Sequence, residues 1–77
     1  MNRKTDTAEL RKVMAENGIV TILDLAEKTG LHRGTLGKVL RGEIQPSADV
    51  MYKLTETLNI DPERAGRIFF ADNLLIA

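Results

Sequence analysis

The chain has 77 residues, enough for one small domain that buries only about 60% of its unfolded surface. It contains no cysteine and one histidine, which excludes a disulfide scaffold and the usual structural zinc sites. Hydrophobic residues make up 43% and charged residues 29%, a globular composition, and no apolar run approaches the roughly 20 residues of a membrane span. The basic N-terminus has no apolar segment behind it, so we expect no signal peptide and a cytoplasmic protein without a membrane partner.

The formal net charge is zero, but the charges are distributed unevenly along the chain. Residues 28–42 contain no acid, and their basic residues are Lys28, Arg33, Lys38 and Arg41. Acids predominate in residues 43–63, where Lys53 is the single basic residue. Because charges further apart than about one Debye length are screened, the local potential decides phosphate binding. The basic segment is therefore compatible with nucleic acid, and a solvated surface segment is the alternative.

Apolar residues recur at helical spacing along the whole chain, without the period-two alternation of strands. Residues that favour N-caps precede four of the apolar segments: Asp6, Thr21, Ser47 and Asp61. The predicted helices span residues 7–17, 22–29 and 33–41, a fourth follows Ser47, and a fifth begins at Pro62. The sequence therefore predicts one all-α domain over residues 1–77, a compact five-helix bundle.

The second and third predicted helices are short, and three residues join them: Gly30, Leu31 and His32. A tight turn containing glycine between two short helices is typical of the helix-turn-helix motif. Gly30 can adopt the positive φ that lets the chain reverse quickly. The pattern predicts a central helix-turn-helix formed by residues 22–29 and 33–41.

A longer stretch around this motif carries a family resemblance. Residues 21–47 read TILDLAEKTGLHRGTLGKVLRGEIQPS and resemble the Cro-repressor-type, lambda-repressor-like helix-turn-helix family of small phage and bacterial transcription regulators. The matching residues are Leu25, Ala26, Gly30, Leu31, Arg33, Thr35, Leu36, Arg41, Gly42, Glu43, Pro46 and Ser47. The resemblance extends over about residues 7–62 and implies a DNA-binding domain of that fold.

The resemblance implies that the helix over residues 33–41 reads the major groove of double-stranded DNA. The face implied for this contact consists of Arg33, Gly34, Gly37 and Lys38. Arg33 then pairs with a guanine edge, and Lys38 reaches a base or a phosphate. His32 and Thr35 are expected to face the DNA backbone, and Arg41 to contact a phosphate. The alternative is that these residues are ordinary solvated cations, with His32 capping the helix.

Several residues depart from the family pattern and indicate a partly apolar face. Gly34 and Gly37 occupy positions where family members usually have side chains that contact bases, and Ile22 replaces a glutamine that often binds a phosphate. Leu23 follows it, and Leu40 occupies a position that is often polar. Because exposed apolar patches usually contact protein, the alternative function is an antirepressor or modulator that covers a repressor's DNA-reading helix. Packing of the two helix-2 residues inside the domain is the competing interpretation.

The C-terminal segment 70–77 contains more apolar side chains than a last helix needs for its own packing. Phe70, Leu74, Leu75 and Ile76 are predicted to form part of an interface, in a homodimer or in a complex with a repressor protein.

Enzymatic chemistry has little support in the sequence. His32 is the single histidine, the acids fall at helix caps and outer faces, and no glycine-rich phosphate loop follows a strand. We therefore expect no catalytic residue, no cofactor, no metal and no small-molecule substrate.

Overall fold

The structure is a computed structural model that describes residues 5–71, and these residues form five α-helices and no strands. The helices are α1 (Thr7–Glu16), α2 (Ile22–Thr29), α3 (Arg33–Leu40), α4 (Ala48–Thr57) and α5 (Pro62–Phe69). The predicted all-α fold is confirmed. In the described part of the chain, none of these helices has the length and apolar character that crossing a membrane requires.

Four of the helices begin with a side chain that accepts a hydrogen bond from the first helical turn. The caps are Asp6 to the Glu9 amide, Thr21 to the Asp24 amide, Ser47 to the Val50 amide and Asp61 to the Arg64 amide. Such caps satisfy amides that have no partner inside the helix. These four residues are the caps predicted from the sequence, so the starts of these helices are determined locally.

The ends of α1 and α3 each lie one residue before the predicted position. Asn17 caps α1 and is not part of it, and its Nδ2 donates hydrogen bonds to the carbonyls of Val13 (2.9 Å) and Leu58 (3.1 Å). Arg41 is likewise the C-cap of α3. Asn17 therefore ties the end of α1 to the end of α4.

One apolar core lies between the helices, and no polar side chain is buried within residues 5–71. Its buried members are Leu10, Val13, Met14, Ile19, Leu25, Leu36, Val39, Leu40, Val50, Leu54, Leu58, Ile60, Ile68 and Phe69. Helix α3 packs against both α1 and α2, while α4 packs against α2 and α5 against α1. The central position of α3 fixes its orientation from two sides.

An ion-pair cluster holds α5 against α1. The Arg64 guanidinium donates hydrogen bonds to Glu9 Oε2 (2.9 and 3.0 Å) and to both carboxylate oxygens of Glu16 (2.9 and 3.0 Å). The hydrogen bond from Arg64 lowers the pKa of the Glu16 carboxyl below its ordinary value. The cluster therefore contributes to stability while the carboxylate is ionised.

The predicted C-terminal interface falls only partly within the described residues. Phe70 is half-buried and packs against the core. Leu74, Leu75 and Ile76 lie outside the described residues, so their predicted interface role stays a prediction.

Candidate nucleic-acid interface

The turn between α2 and α3 is built by a left-handed glycine and a hydrogen-bonded threonine. Gly30 has φ of 75°, and its amide donates to the Ala26 carbonyl at 2.8 Å. The Thr29 hydroxyl donates to the Leu25 carbonyl (2.8 Å) and accepts from the Leu31 amide (3.1 Å). These bonds reverse the chain within three residues, as the helix-turn-helix prediction requires.

One side of α3 is anchored in the core. Leu36 and Val39 are fully buried, and Leu40 is 3% exposed. Thr35 is half-buried beside them. Because α1 and α2 both contact α3, the helix is held in place on this side, and its other side faces solvent.

The solvent side of α3 carries exposed cations that form no ion pair with the residues the structure describes. Arg33, Gly34 and Lys38 are exposed, as is His32, the N-cap residue, whose side chain makes no capping hydrogen bond. Within residues 5–71 neither Arg33 nor Lys38 forms an ion pair. These two side chains are therefore available for phosphates or base edges.

Arg41 is exposed but already paired. Its Nε donates to Glu43 Oε2 at 2.6 Å, and its Nη2 lies 3.5 Å from Glu43 Oε1. This hydrogen bond, followed by the charges of Arg41 and Lys38, lowers the pKa of the Glu43 carboxyl. The ionised Glu43 therefore offsets part of the positive potential at this end of α3 and competes with any phosphate for Arg41.

The structure corrects the predicted partner-binding face at two of its residues, Leu40 and Gly37. Leu40 is buried in the core, because α3 packs against two helices and buries a wide face. Gly37 is buried as well, with the Arg41 side chain over it, and Ile22 is half-buried against the core. The prediction that Leu40 and Gly37 belong to an exposed apolar face is wrong, whereas the predicted role of the half-buried Ile22 stays a prediction. Leu23, 58% exposed, and Gly34 remain accessible.

Two charged residues near the end of α3 did not appear among the predicted site residues. Glu43 lies just beyond the glycine that follows Arg41 and forms an ion pair with it. Opposite charges on the two sides of a glycine turn are a sequence pattern that predicts such a pair. Arg11, in α1, places its Nη2 3.5 Å from the Leu40 carbonyl oxygen. No sequence pattern indicates that contact, because it depends on how α1 and α3 pack.

A helix packed against two others, with exposed cations on its solvent side and a tight glycine turn before it, is typical of a helix-turn-helix domain of the nucleic-acid-binding type. The comparison with protein families agrees: the Cro/C1-type HTH DNA-binding domain matches residues 9–63. The match covers more than half of the chain, so the chain belongs to this family and is a DNA-binding protein by class. A comparison with curated proteins finds no match.

Proposed function

We propose that the chain is a small transcriptional regulator of the repressor type that places α3 in the major groove of double-stranded DNA. It acts in the cytoplasm of a bacterium or of a phage-infected cell. The observation that carries the proposal is the exposure of Arg33 and Lys38, which form no ion pair among residues 5–71, on a helix whose opposite side is buried in the core. Membership of the Cro/C1-type family supports DNA as the ligand.

In this proposal some residues around α3 contact bases and others contact the sugar-phosphate backbone. Arg33 donates to the O6 and N7 of a guanine, a contact worth about 1–3 kcal/mol of discrimination. Lys38, exposed further along the helix, contacts a base or a phosphate. His32, Thr35 and Arg41 contact the sugar-phosphate backbone and fix the orientation of the domain.

The experiment is selection of a random-sequence duplex pool by the purified chain, followed by affinity measurements over a range of salt. We expect enrichment of a sequence and a loss of about 0.9 log unit in affinity per tenfold salt for each phosphate contact. Arg33→Ala should weaken binding of the enriched duplex far more than of an unrelated duplex. Lys38→Ala should weaken the enriched duplex more than Lys53→Ala, a matched loss of one exposed charge on α4. Absence of duplex binding at low salt would refute the proposal.

The selection also tests a homodimeric form of the regulator. A two-fold symmetric dimer reads two half-sites about one helical turn of DNA apart, so the enriched sequence would be an inverted repeat. A single unrepeated site, together with a monomeric mass in solution, would contradict the dimer.

A second function is favoured by two exposed apolar residues near the start of α2. Val20 is 84% exposed and Leu23 is 58% exposed. In this alternative the chain is an antirepressor that uses this surface and α3 to cover the DNA-reading helix of a repressor protein. Leu23→Glu would then abolish capture of the repressor from the native host while leaving duplex binding intact. Unchanged capture would eliminate the alternative.

A further inference from the structure

Two glycines occupy α3, although the intrinsic helix propensity of alanine is higher than that of glycine at any interior position. Gly34 and Gly37 lie within the helical span, and neither has the positive φ found at Gly30. Backbone conformation therefore requires glycine at neither position. The difference between the two glycines lies in the atoms that a Cβ would contact at each position.

Contacts inside the domain account for Gly37. A Cβ built there would lie 3.1 Å from Nη1 of Arg41, closer than about nine in ten real contacts of such an atom, so the Arg41 side chain would have to shift by a few tenths of an ångström. The guanidinium is held at this place by its bond to Glu43. Glycine at position 37 makes room for the folded-back Arg41 side chain.

No contact with the described residues 5–71 accounts for Gly34. Among them, the single atom that a Cβ would meet within 4 Å is His32 Nδ1, at an ordinary 3.8 Å. Alanine would fit the folded chain without strain. Gly66 in α5 is open in the same sense, since a Cβ there meets nothing within 4 Å. What distinguishes Gly34 is its place, exposed on α3 between the unpaired cations Arg33 and Lys38.

We propose that Gly34 is a specificity-determining contact, at which the backbone of α3 lies directly against base edges in the major groove. The proposal rests on the function proposed above and names the way in which the same face recognises DNA. A helix with its side chains, about 10–12 Å across, nearly fills a groove about 12 Å wide. A Cβ at the point of closest approach holds the helix away from the bases, so that Arg33 and Lys38 no longer reach them together.

The test compares Gly34→Ala, Gly34→Leu and the control Gly66→Ala, because alanine and leucine both favour helix. The probes are the duplex enriched by the unmodified chain and an unrelated duplex of equal length. Affinities come from fluorescence anisotropy, and the Tm of each variant from circular dichroism.

We expect Gly34→Ala to have a Tm at or above that of the unmodified chain, yet to bind the enriched duplex about tenfold more weakly, as expected for loss of one good base contact. Gly34→Leu should lose more affinity for the enriched duplex than Gly34→Ala does. Both variants should bind the unrelated duplex with almost unchanged affinity, and Gly66→Ala should bind both duplexes like the unmodified chain. A folded Gly34→Ala variant with unchanged affinity for the enriched duplex would overturn the role of Gly34 and leave the proposed function standing. An equal loss of affinity for both duplexes would do the same. Failure of the unmodified chain to bind DNA would overturn the proposed function as well, and it would be seen before any variant is made.

Discussion

Gln45, in the loop between α3 and α4, joins this loop to the segment before α1 and to the end of α5. Its Nε2 donates to the Phe69 carbonyl at 2.6 Å, and its Oε1 accepts from the Thr5 hydroxyl at 3.2 Å. Phe69 is the last residue of α5, so its carbonyl has no partner within that helix. We therefore expect Gln45→Ala to destabilise the fold although the side chain lies outside the apolar core.

The size of this effect follows from the contacts that are lost. Each of the two part-buried hydrogen bonds contributes about 0.5–1.5 kcal/mol, so the free energy of unfolding should fall by about 1–3 kcal/mol. For a domain of this size each kcal/mol lowers the Tm by about 4–8 °C. Thermal unfolding followed by circular dichroism measures this shift. A Gln45→Ala variant whose Tm stays within about 2 °C of the unmodified chain would show that the two bonds contribute little.

Gln45→Glu gives a sharper version of the same test. At neutral pH its carboxylate faces the Phe69 carbonyl without a proton to donate, which raises the pKa of the new carboxyl and destabilises the fold. Protonation restores a donor, so the Tm difference from the unmodified chain should shrink between about pH 7 and pH 4. A difference that stays constant over this range would refute the assignment of Nε2 as the donor to α5.

Three further predictions concern the turn, the paired arginine and the ion-pair cluster. Gly30→Ala should lower the free energy of unfolding by about 1 kcal/mol in denaturant titration, because φ there is 75°, and an unchanged midpoint would contradict this. Glu43→Gln should tighten duplex binding at low salt by releasing Arg41 and removing a negative charge, and weaker binding would instead indicate that Glu43 positions Arg41. The unmodified chain should lose stability as the pH falls below the ordinary carboxyl value of 4.5, since Arg64 lowers the pKa of Glu16 in the folded state. The Tm of Arg64→Met should fall less than that of the unmodified chain over the same decrease in pH. An equal fall in Tm would exclude the ion-pair cluster as the source of the pH dependence.

Helix starts and the motif turn were predictable because their causes are local. Asp6, Thr21, Ser47 and Asp61 each cap the amide three residues later, so a short window of sequence contains both partners. Gly30 adopts the left-handed conformation that the spacing of the two motif helices requires. The family resemblance rested on this same local stretch, and the family match over residues 9–63 confirms it.

The details of the binding face were not predictable because they depend on how distant segments pack. Leu40 is the exception, because its helical spacing from Leu36 and Val39 already indicated the apolar side that α3 buries against α1 and α2. Gly37 is covered by a side chain that folds back from Arg41, and Gln45 bonds to residues far away in the sequence. Gly34 is the opposite case, because the sequence identified it as a departure from the family pattern and no contact with the described part of the chain explains it.

The contact between α3 and DNA is tested by titrating the ¹⁵N-labelled chain with its enriched duplex and following the amide chemical shifts. We expect the largest shifts on residues 32–38, around the exposed half of α3, while Tyr52 and Lys53 on the exposed side of α4 change little. Shifts centred on Val20 and Leu23 with α3 unaffected, or no shifts at a saturating duplex concentration, would contradict the claim that α3 is the surface that meets DNA.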